Sequence, residues 1–169
     1  MRRVSFVLVL LSLAILSTSH ELFLKTDSHF LDPNSSVQLY LLNGTFDNSE
    51  NAITTDRIIK PKVIGPDYNL EPKEGQFTIA DKITYLNFTI GEEGTYVAGI
   101  STLPRVLEMD ADAFNTYLEH EGLENTIAER KVQKIENRGA KERYSKHVKS
   151  LLQVGQKSSI DFMKPLNYP

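Results

Sequence analysis

The stretch Glu92-Glu93-Gly94-Thr95-Tyr96-Val97-Ala98 decides the fold, because it has the form acid-x-Gly-x-Tyr-x-small. This form is typical of the tyrosine corner of immunoglobulin-like sandwiches, in which the tyrosine hydroxyl bonds back to the backbone at the entry to the sixth strand. Ala98 occupies the position where antibody domains carry a cysteine. The alternative is an ordinary strand that happens to begin Gly-x-Tyr. We predict that Tyr96 forms such a corner.

Short strand-like runs lie on both sides of this corner. In the clearest of them, Val37, Leu39 and Leu41 alternate with Gln38 and Tyr40, which is the period of a half-buried strand. Turn residues separate the runs. The seven predicted strands fall at 21–24, 37–41, 62–64, 77–79, 83–90, 95–101 and 105–108. Together they predict an antiparallel β-sandwich.

The hydrophobic period changes after Met109. Asp110 is a good N-cap for a first helix, and Gly122 is a natural stop for it. A second amphipathic segment runs from Leu123 to Ile135. A third helix, closed by Gly155, is predicted from the apolar stripe Tyr144, Val148, Leu151 and Leu152. The predicted fold class is mainly β: an immunoglobulin-like antiparallel β-sandwich followed by a two- to three-helix segment.

The N-terminus has the pattern of a secretory signal peptide. Met1-Arg2-Arg3 is basic, Val4 to Leu16 is apolar, and Ser17-Thr18-Ser19 supplies small residues before His20. The apolar run is shorter than the ~20 residues that a membrane-spanning helix needs, so an uncleaved anchor is the less favoured alternative. We predict cleavage after Ser19, a periplasmic or secreted location, and a soluble mature chain.

These patterns divide the sequence into four parts. The predicted parts are a signal peptide at 1–19, a β-sandwich domain at 20–109, a helical segment packed on it at 110–155, and a tail at 156–169. The last part contains two prolines and no clear closing element, so it is either a natural tail or the start of a missing second domain.

The composition excludes several kinds of site. The chain has no cysteine, which excludes disulfides, thiolate metal ligands, cysteine nucleophiles and a lipoprotein anchor. An exported domain without disulfides fits a bacterial periplasm better than an animal-secreted scaffold. The formal net charge is −3, and cleavage would remove two positive charges, Arg2 and Arg3. The more acidic mature chain argues against nucleic acid as a partner.

Cleavage after Ser19 would also create a candidate metal ligand. His20 would then carry a free amine and an imidazole on one residue, and a further imidazole would complete a three-nitrogen set that suits copper or nickel. The predicted metal residues are His20, His29 and His147, and the predicted ion is nickel, cobalt or copper. The alternative is that His20 has no ligand role.

The other histidines are weaker candidates. His29 lies in a polar turn, close enough in sequence to fold back on His20, and His120 is expected to be half exposed on the first helix. His147 falls on the apolar stripe of the predicted third helix, where a histidine is more often a packing residue than a ligand. A positive cluster between Arg130 and Lys149 interleaves with glutamates, so it indicates solvated helix faces, with an anionic partner or membrane surface as the alternative.

Several short segments between His20 and the end of the chain occur in a characteristic order. They are 20–24 (His-Glu-Leu-Phe-Leu), 94–96 (Gly-Thr-Tyr), 114–118 (Phe-Asn-Thr-Tyr-Leu) with 121–123 (Glu-Gly-Leu), 142–146 (Glu-Arg-Tyr-Ser-Lys) with Lys149, and Val154-Gly155. In this order the segments resemble a bacterial exported family, domain of unknown function 4198 (DUF4198), which has been grouped with periplasmic components of nickel and cobalt uptake systems.

The resemblance implies a periplasmic, sandwich-based protein linked to a divalent metal. It carries His20 over as the suspected metal residue and implies membrane transporter components as partners. Members of the family usually continue past the position of residues 165–169 into a second β-rich region, so the resemblance also implies a truncated member.

The sequence therefore predicts a non-enzymatic exported protein that binds or delivers nickel, cobalt or copper for uptake. The alternative is a non-catalytic structural or adhesion-type β-sandwich that binds a polymer or a protein without metal. An oxidative copper enzyme with an N-terminal histidine brace is the third interpretation. No catalytic residue is predicted, because the chain has no Gly-x-Ser-x-Gly, no glycine-rich phosphate loop and no His-Glu-x-x-His motif.

Overall fold

The computed structural model describes residues 21–157. The predicted signal peptide, His20 and most of the predicted tail lie outside the described residues. The described strands are β1 (Glu21–Lys25), β2 (Phe30–Leu31), β3 (Ser36–Gly44), β4 (Ile58–Gly65), β5 (Tyr68–Leu70), β6 (Phe77–Ala80), β7 (Ile83–Thr89), β8 (Gly94–Thr102), β9 (Arg105–Met109), β10 (Ala140–Tyr144) and β11 (His147–Val154). The helices are α1 (Ala111–His120) and α2 (Glu124–Val132).

The contacts within the chain separate two units. One is Pro104–Tyr144, and the other contains the remaining described residues, 21–103 and 145–157. The larger unit holds the strands β1 to β8 and β11, and the smaller unit holds β9, β10 and both helices.

The larger unit is a β-sandwich. Its four-stranded sheet has the order β1-β3-β7-β6, and its five-stranded sheet has the order β2-β11-β8-β4-β5. These orders correspond to the A-B-E-D sheet and the C-F-G sheet of an immunoglobulin-like sandwich, with β8 as strand F and β11 as strand G. The predicted fold class is confirmed. One pairing departs from the antiparallel prediction, because the short edge strand β2 runs parallel to β11.

Alternating side chains from both sheets form the core of the sandwich. On β3 and β7 the residues Leu39 and Leu86 face inward, and they meet Ile100 and Val154 from β8 and β11; each is at most 2% exposed. Because successive residues of a strand point to opposite faces, the apolar alternation of β3 and β7 buries one face of the four-stranded sheet. In the five-stranded sheet, β8 is buried on both faces.

Tyr96 forms the predicted tyrosine corner at the start of β8. Its hydroxyl donates a hydrogen bond to the Glu92 carbonyl oxygen at 2.8 Å, and its ring is fully buried. The Tyr68 ring packs edge-on against it with 5.4 Å between centroids, and the Tyr68 hydroxyl donates to the Thr89 carbonyl oxygen at 2.6 Å. The corner therefore connects the five-stranded sheet to the end of β7 in the other sheet.

The smaller unit contains the two predicted helices. The Asp110 carboxylate caps α1 by accepting a hydrogen bond from the Ala113 backbone N–H at 2.8 Å, and Gly122 follows the helix at φ +66°. The strand β9, which the sequence placed last in the sandwich, pairs instead with β10 inside this unit.

The predicted third helix is wrong. Its residues belong to β10 and β11, and β11 pairs along its whole length with β8. The even-numbered residues Ser150, Leu152 and Val154 are buried, whereas Leu151 is 62% exposed. A spacing of four residues is compatible with both a helix and a strand, so the stripe from Tyr144 to Leu152 fitted either period.

Residues 21–157 contain no helix long and apolar enough to cross a membrane.

Candidate functional site

The described histidines lie apart from one another. His29 is exposed, and its carbonyl oxygen accepts a hydrogen bond from the Gln153 N–H at 2.7 Å, which places it beside the last residues of β11. His147 begins β11, and its Nδ1 lies 2.8 Å from the Ser101 Oγ on β8. At about 3.3 Å per residue, the six residue steps from His147 to Gln153 separate these two ends of β11 by roughly 20 Å. The structure therefore does not bring His29 and His147 to one ion.

The predicted metal site is not assembled among the described residues. His120 is exposed at the end of α1, and residues 21–157 contain no group of three His, Asp or Glu side chains that could hold a metal ion. Because His20 lies outside the described residues, its pairing with any other histidine stays a prediction.

A row of side chains crosses the exposed face of the four-stranded sheet. The backbone register places Lys25 of β1 opposite Tyr40 of β3, Tyr40 opposite Tyr85 of β7, and Tyr85 opposite Thr78 of β6. One residue from each strand therefore shares the row, and three strand spacings give it a length of about 14 Å. The rings of Tyr40 and Tyr85 meet edge-on, with 5.4 Å between centroids.

An amide pair lies beside this row on the same face. Gln38 stands opposite Asn87, and its Nε2 donates to the Asn87 Oδ1 at 2.7 Å. The Asn87 Nδ2 in turn donates to the Thr78 hydroxyl oxygen at 3.3 Å. An open depression of about 700 Å³ follows this part of the face, with Gln38, Gln76 and Asn87 among its lining residues. We call the six residues of the row and the amide pair the tyrosine face: Lys25, Gln38, Tyr40, Thr78, Tyr85 and Asn87.

Asp27 fixes the orientation of Tyr40. The Tyr40 hydroxyl donates a hydrogen bond to the Asp27 Oδ2 at 2.5 Å. This bond to a carboxylate, with smaller contributions from burial and from the Asp27 charge, raises the pKa of Tyr40 to about 12. The phenol is therefore protonated at neutral pH, and it acts as a hydrogen-bond donor rather than as a base.

Replacing Asp27 with alanine is expected to lower the pKa of Tyr40 from about 12 toward 10.0, because the carboxylate that accepts a hydrogen bond from the phenol is removed. The direction of this pKa shift also determines how the stability of the folded protein depends on pH. A pKa raised in the folded state stabilises the protein below pH 10, and that stabilisation is lost as the pH rises from 10.0 to about 12.

Ultraviolet absorbance titration follows the ionisation of all seven tyrosines, so the difference between the wild-type and Asp27→Ala curves reports the change at Tyr40. The matched control is Asp47→Ala, which removes an exposed carboxylate that pairs with Lys25 at 3.5 Å and does not contact Tyr40. An unchanged titration in Asp27→Ala would contradict the assigned hydrogen bond.

At the Lys25 end of the row, the ammonium group contacts an aromatic ring and is paired with a carboxylate of the same chain. The Lys25 ammonium lies 3.8 Å from the centroid of the Phe46 ring and donates to the Phe46 carbonyl oxygen at 2.8 Å. Phe46 is 57% exposed and packs edge-on against Phe23, with 5.5 Å between centroids. The ammonium is therefore held over the Phe46 ring and beside Asp47. The Phe46 ring extends the aromatic surface of the row beyond Lys25.

A second polar cluster forms hydrogen bonds between the two sheets at one end of the sandwich. The Lys146 Nζ donates to the Asn43 Oδ1 at 2.9 Å, and its backbone N–H donates to the Thr102 hydroxyl oxygen at 3.0 Å. Burial lowers the pKa of Lys146, with the nearby Glu21 charge acting in the opposite direction. These contacts join β3 and β8 to the residue that precedes β11, so they serve the packing of the sandwich.

The sequence contained part of the signal for the tyrosine face. The alternation in 37–41 and 83–90 placed Gln38, Tyr40, Tyr85 and Asn87 on the polar side of their strands. It did not supply the register that sets tyrosine against tyrosine and amide against amide. The contribution of Asp27 was missed altogether, because it comes from a loop.

Comparisons with models of known protein families, with curated proteins and with solved structures find no match to this chain. The resemblance to DUF4198 therefore stays a prediction that rests on the sequence segments alone.

Proposed function

We propose that this protein is a non-catalytic binding module that holds an extended partner molecule across the tyrosine face. The row of Lys25, Tyr40, Tyr85 and Thr78, with one residue from each of four strands, is the observation that carries the proposal. Tyrosine supplies a large, rigid contact area together with a polar tip, which is why it is enriched in binding surfaces.

The tyrosine face is organised before any partner arrives. Asp27 holds the Tyr40 hydroxyl, and the amides of Gln38 and Asn87 hold each other. Side chains that are already ordered lose little rotamer entropy on binding, so their contacts contribute more of their energy to affinity. A regular sheet is also a stiffer platform than a loop.

The chemistry of the face suits binding rather than reaction. Rings, amides and hydroxyls orient a partner through packing and hydrogen bonds. Within the tyrosine face the most perturbed group is Tyr40, whose pKa moves to about 12, away from the range in which it could exchange a proton at neutral pH. The predicted export of the chain means that the partner would be met outside the cytoplasm.

Binding to immobilised polymers tests this proposal. A panel of polysaccharides and unstructured polypeptides is screened with the wild-type protein, with Tyr85→Ala and with Tyr40→Ala. We expect at least one polymer to be retained and each tyrosine variant to lose more than about tenfold in affinity, as for a buried aromatic anchor.

Leu151→Ala is the matched control. It removes a large exposed side chain from the other sheet, where Leu151 is 62% exposed, and it should leave the affinity unchanged. Thermal melts confirm that each variant is folded. Retention that is insensitive to both tyrosine variants, or no retention at all, would overturn the proposal.

Metal binding at His20 is a second candidate function, supported by the predicted cleavage after Ser19 and by the resemblance to DUF4198. On that proposal the protein would hold nickel, cobalt or copper and deliver it to membrane transporter components. We expect the chain beginning at His20 to bind one Ni²⁺ or Cu²⁺, and we expect His20→Ala, or one extra residue ahead of His20, to weaken binding by more than about tenfold.

Titration calorimetry with the metal salt alone measures this affinity. Because His29 and His147 lie at opposite ends of β11, at most one of the variants His29→Ala and His147→Ala should weaken binding. An affinity that is unchanged in His20→Ala would exclude the site.

A further inference from the structure

We infer that the partner of the tyrosine face is a neutral polysaccharide. The inference rests on the proposed function of this face and narrows it to one chemical class. The charge balance of the face, its remaining hydrogen-bonding capacity and its length all favour this class.

Lys25 and Asp27, the charged groups at the Tyr40 end of the row, are both engaged in contacts within the chain. The Lys25 ammonium is held by the Phe46 carbonyl oxygen, by the Phe46 ring and by Asp47. The Asp27 carboxylate accepts a hydrogen bond from the Tyr40 hydroxyl at 2.5 Å and keeps its negative charge. An anionic polymer would need a free cation, but the cation of the tyrosine face, Lys25, is paired with Asp47. A cationic polymer would have to compete with the Tyr40 hydroxyl for the Asp27 carboxylate. The complementary partner is uncharged.

The polar groups that point outward match hydroxyl groups. Among residues 21–157, the Tyr85 hydroxyl and the Gln38 Oε1 have no hydrogen-bond partner, and Gln38 keeps one amide N–H beyond the bond that it donates to Asn87. One hydroxyl can both donate and accept, so it satisfies a phenol, an amide oxygen and an amide N–H equally well. Sugar rings carry several such hydroxyls around an apolar C–H face.

The aromatic part of the face matches that apolar C–H surface. Tyr40 and Tyr85 are half-buried, so each exposes part of its ring beside a polar tip. A sugar ring that lies on Tyr85 would bury its C–H groups on the aromatic surface while its hydroxyls reach Gln38 and the phenol. The adjacent rings and the amide pair beside them therefore complement the C–H faces and the hydroxyls of a glycan.

The dimensions of the face favour a chain over a single sugar. The row spans about 14 Å across four strands. The depression of about 700 Å³ beside Gln38 and Asn87 leaves the surface open. Affinity should therefore rise with the length of the oligosaccharide until the row is covered, and then stay constant.

Affinity gel electrophoresis of the full chain tests the inference. The probes are hydroxyethylcellulose, galactomannan and xylan as neutral polysaccharides, polygalacturonate as an anionic polysaccharide, and poly-L-proline as an uncharged polypeptide. We expect retardation by at least one neutral polysaccharide, a loss of more than about tenfold in Tyr85→Ala, a smaller loss in Gln38→Ala, and no change in Leu151→Ala. Because the partner is neutral, raising the ionic strength from about 0.05 M to about 0.5 M should leave the affinity unchanged.

The outcomes separate this inference from the proposed function. Retardation by polygalacturonate or poly-L-proline alone, lost in Tyr85→Ala, would overturn the polysaccharide inference and leave the binding face intact. Retardation by a neutral polysaccharide that Tyr85→Ala does not reduce would overturn both. Retardation by none of the probes would also count against both.

Discussion

Replacing Gly65 with alanine is expected to lower the free energy of unfolding by about 3 kcal/mol, the upper end of the usual effect of overpacking a core. Gly65 ends β4 directly against the tyrosine corner. A methyl group there would overlap the Cε1, Cδ1 and Cζ atoms of the Tyr96 ring. The ring cannot swing aside, because its hydroxyl is bound to the Glu92 carbonyl oxygen and the Tyr68 ring packs edge-on against it.

Chemical denaturation of purified variants measures this loss, and the melting temperature should fall by roughly 10 °C. The matched control is Gly75→Ala, because a methyl group at Gly75 meets no atom within 4 Å. Its effect should stay within about 0.5 kcal/mol, as for other exposed substitutions.

A double-mutant cycle identifies the cause. Tyr96→Leu removes the ring that the new methyl group would overlap. We therefore expect Gly65→Ala combined with Tyr96→Leu to cost at least about 1 kcal/mol less than the sum of the two single changes. Strict additivity would show that Gly65 is required for a reason other than Tyr96.

The tyrosine corner was predictable because it is local. Its signal lies in consecutive residues, 92–98, and its hydrogen bond spans four positions from Glu92 to Tyr96. The close approach of Gly65 was not predictable, because it depends on β4 lying beside β8 in the folded sheet. A glycine in a turn cluster gives no sign of which side chain will cover it.

The end of the chain was mispredicted for a related reason. Residues 144–152 repeat apolar side chains at intervals that suit both a helix and a strand, and only the pairing with β8 decides between them. In the sandwich, that pairing makes β11 the neighbour of the most buried strand. Tertiary structure therefore overrode a local pattern that was ambiguous by itself.

The two candidate sites also differ in how far the sequence alone could predict them. The metal site was inferred from one residue, His20, and from a cleavage pattern, and the partner of that residue cannot be read from sequence spacing. The tyrosine face arises from register, since Tyr40 and Tyr85 are far apart in sequence and become neighbours only when β3 pairs with β7. Its individual residues were visible as the polar side of two strands, but their juxtaposition was not.

Arg130 is expected to hold the smaller unit, Pro104–Tyr144, together. Its side chain is only 8% exposed, and its Nη2 donates to the carbonyl oxygens of Ile135 at 3.0 Å and Arg138 at 2.6 Å. The guanidinium carbon also lies 4.7 Å from the centroid of the Phe114 ring. One cation therefore fixes the turn that follows α2 and ties it to α1, in a unit with few other buried side chains.

We expect Arg130→Met to lower the local stability of this unit by about 2 kcal/mol, since two carbonyl oxygens lose a charged donor. Amide hydrogen exchange should then accelerate about 30-fold in the unit. Exchange within the sandwich strands should not change, because all of these partners of Arg130 lie in residues 104–144. Arg130→Lys should recover only part of the loss, because an ammonium lacks the planar fork of a guanidinium.

Lys131→Met is the matched control, since it removes an exposed cation from the next position of α2. It should leave exchange unchanged in both units. Equal acceleration of the sandwich and the smaller unit in Arg130→Met would show that the two unfold as one, and no acceleration would show that the turn is held without Arg130. The expected result would assign a structural role to one residue of the basic cluster, because Arg130 holds the turn between α2 and β10. The exposed cations around Arg130 form the solvated faces of the helices.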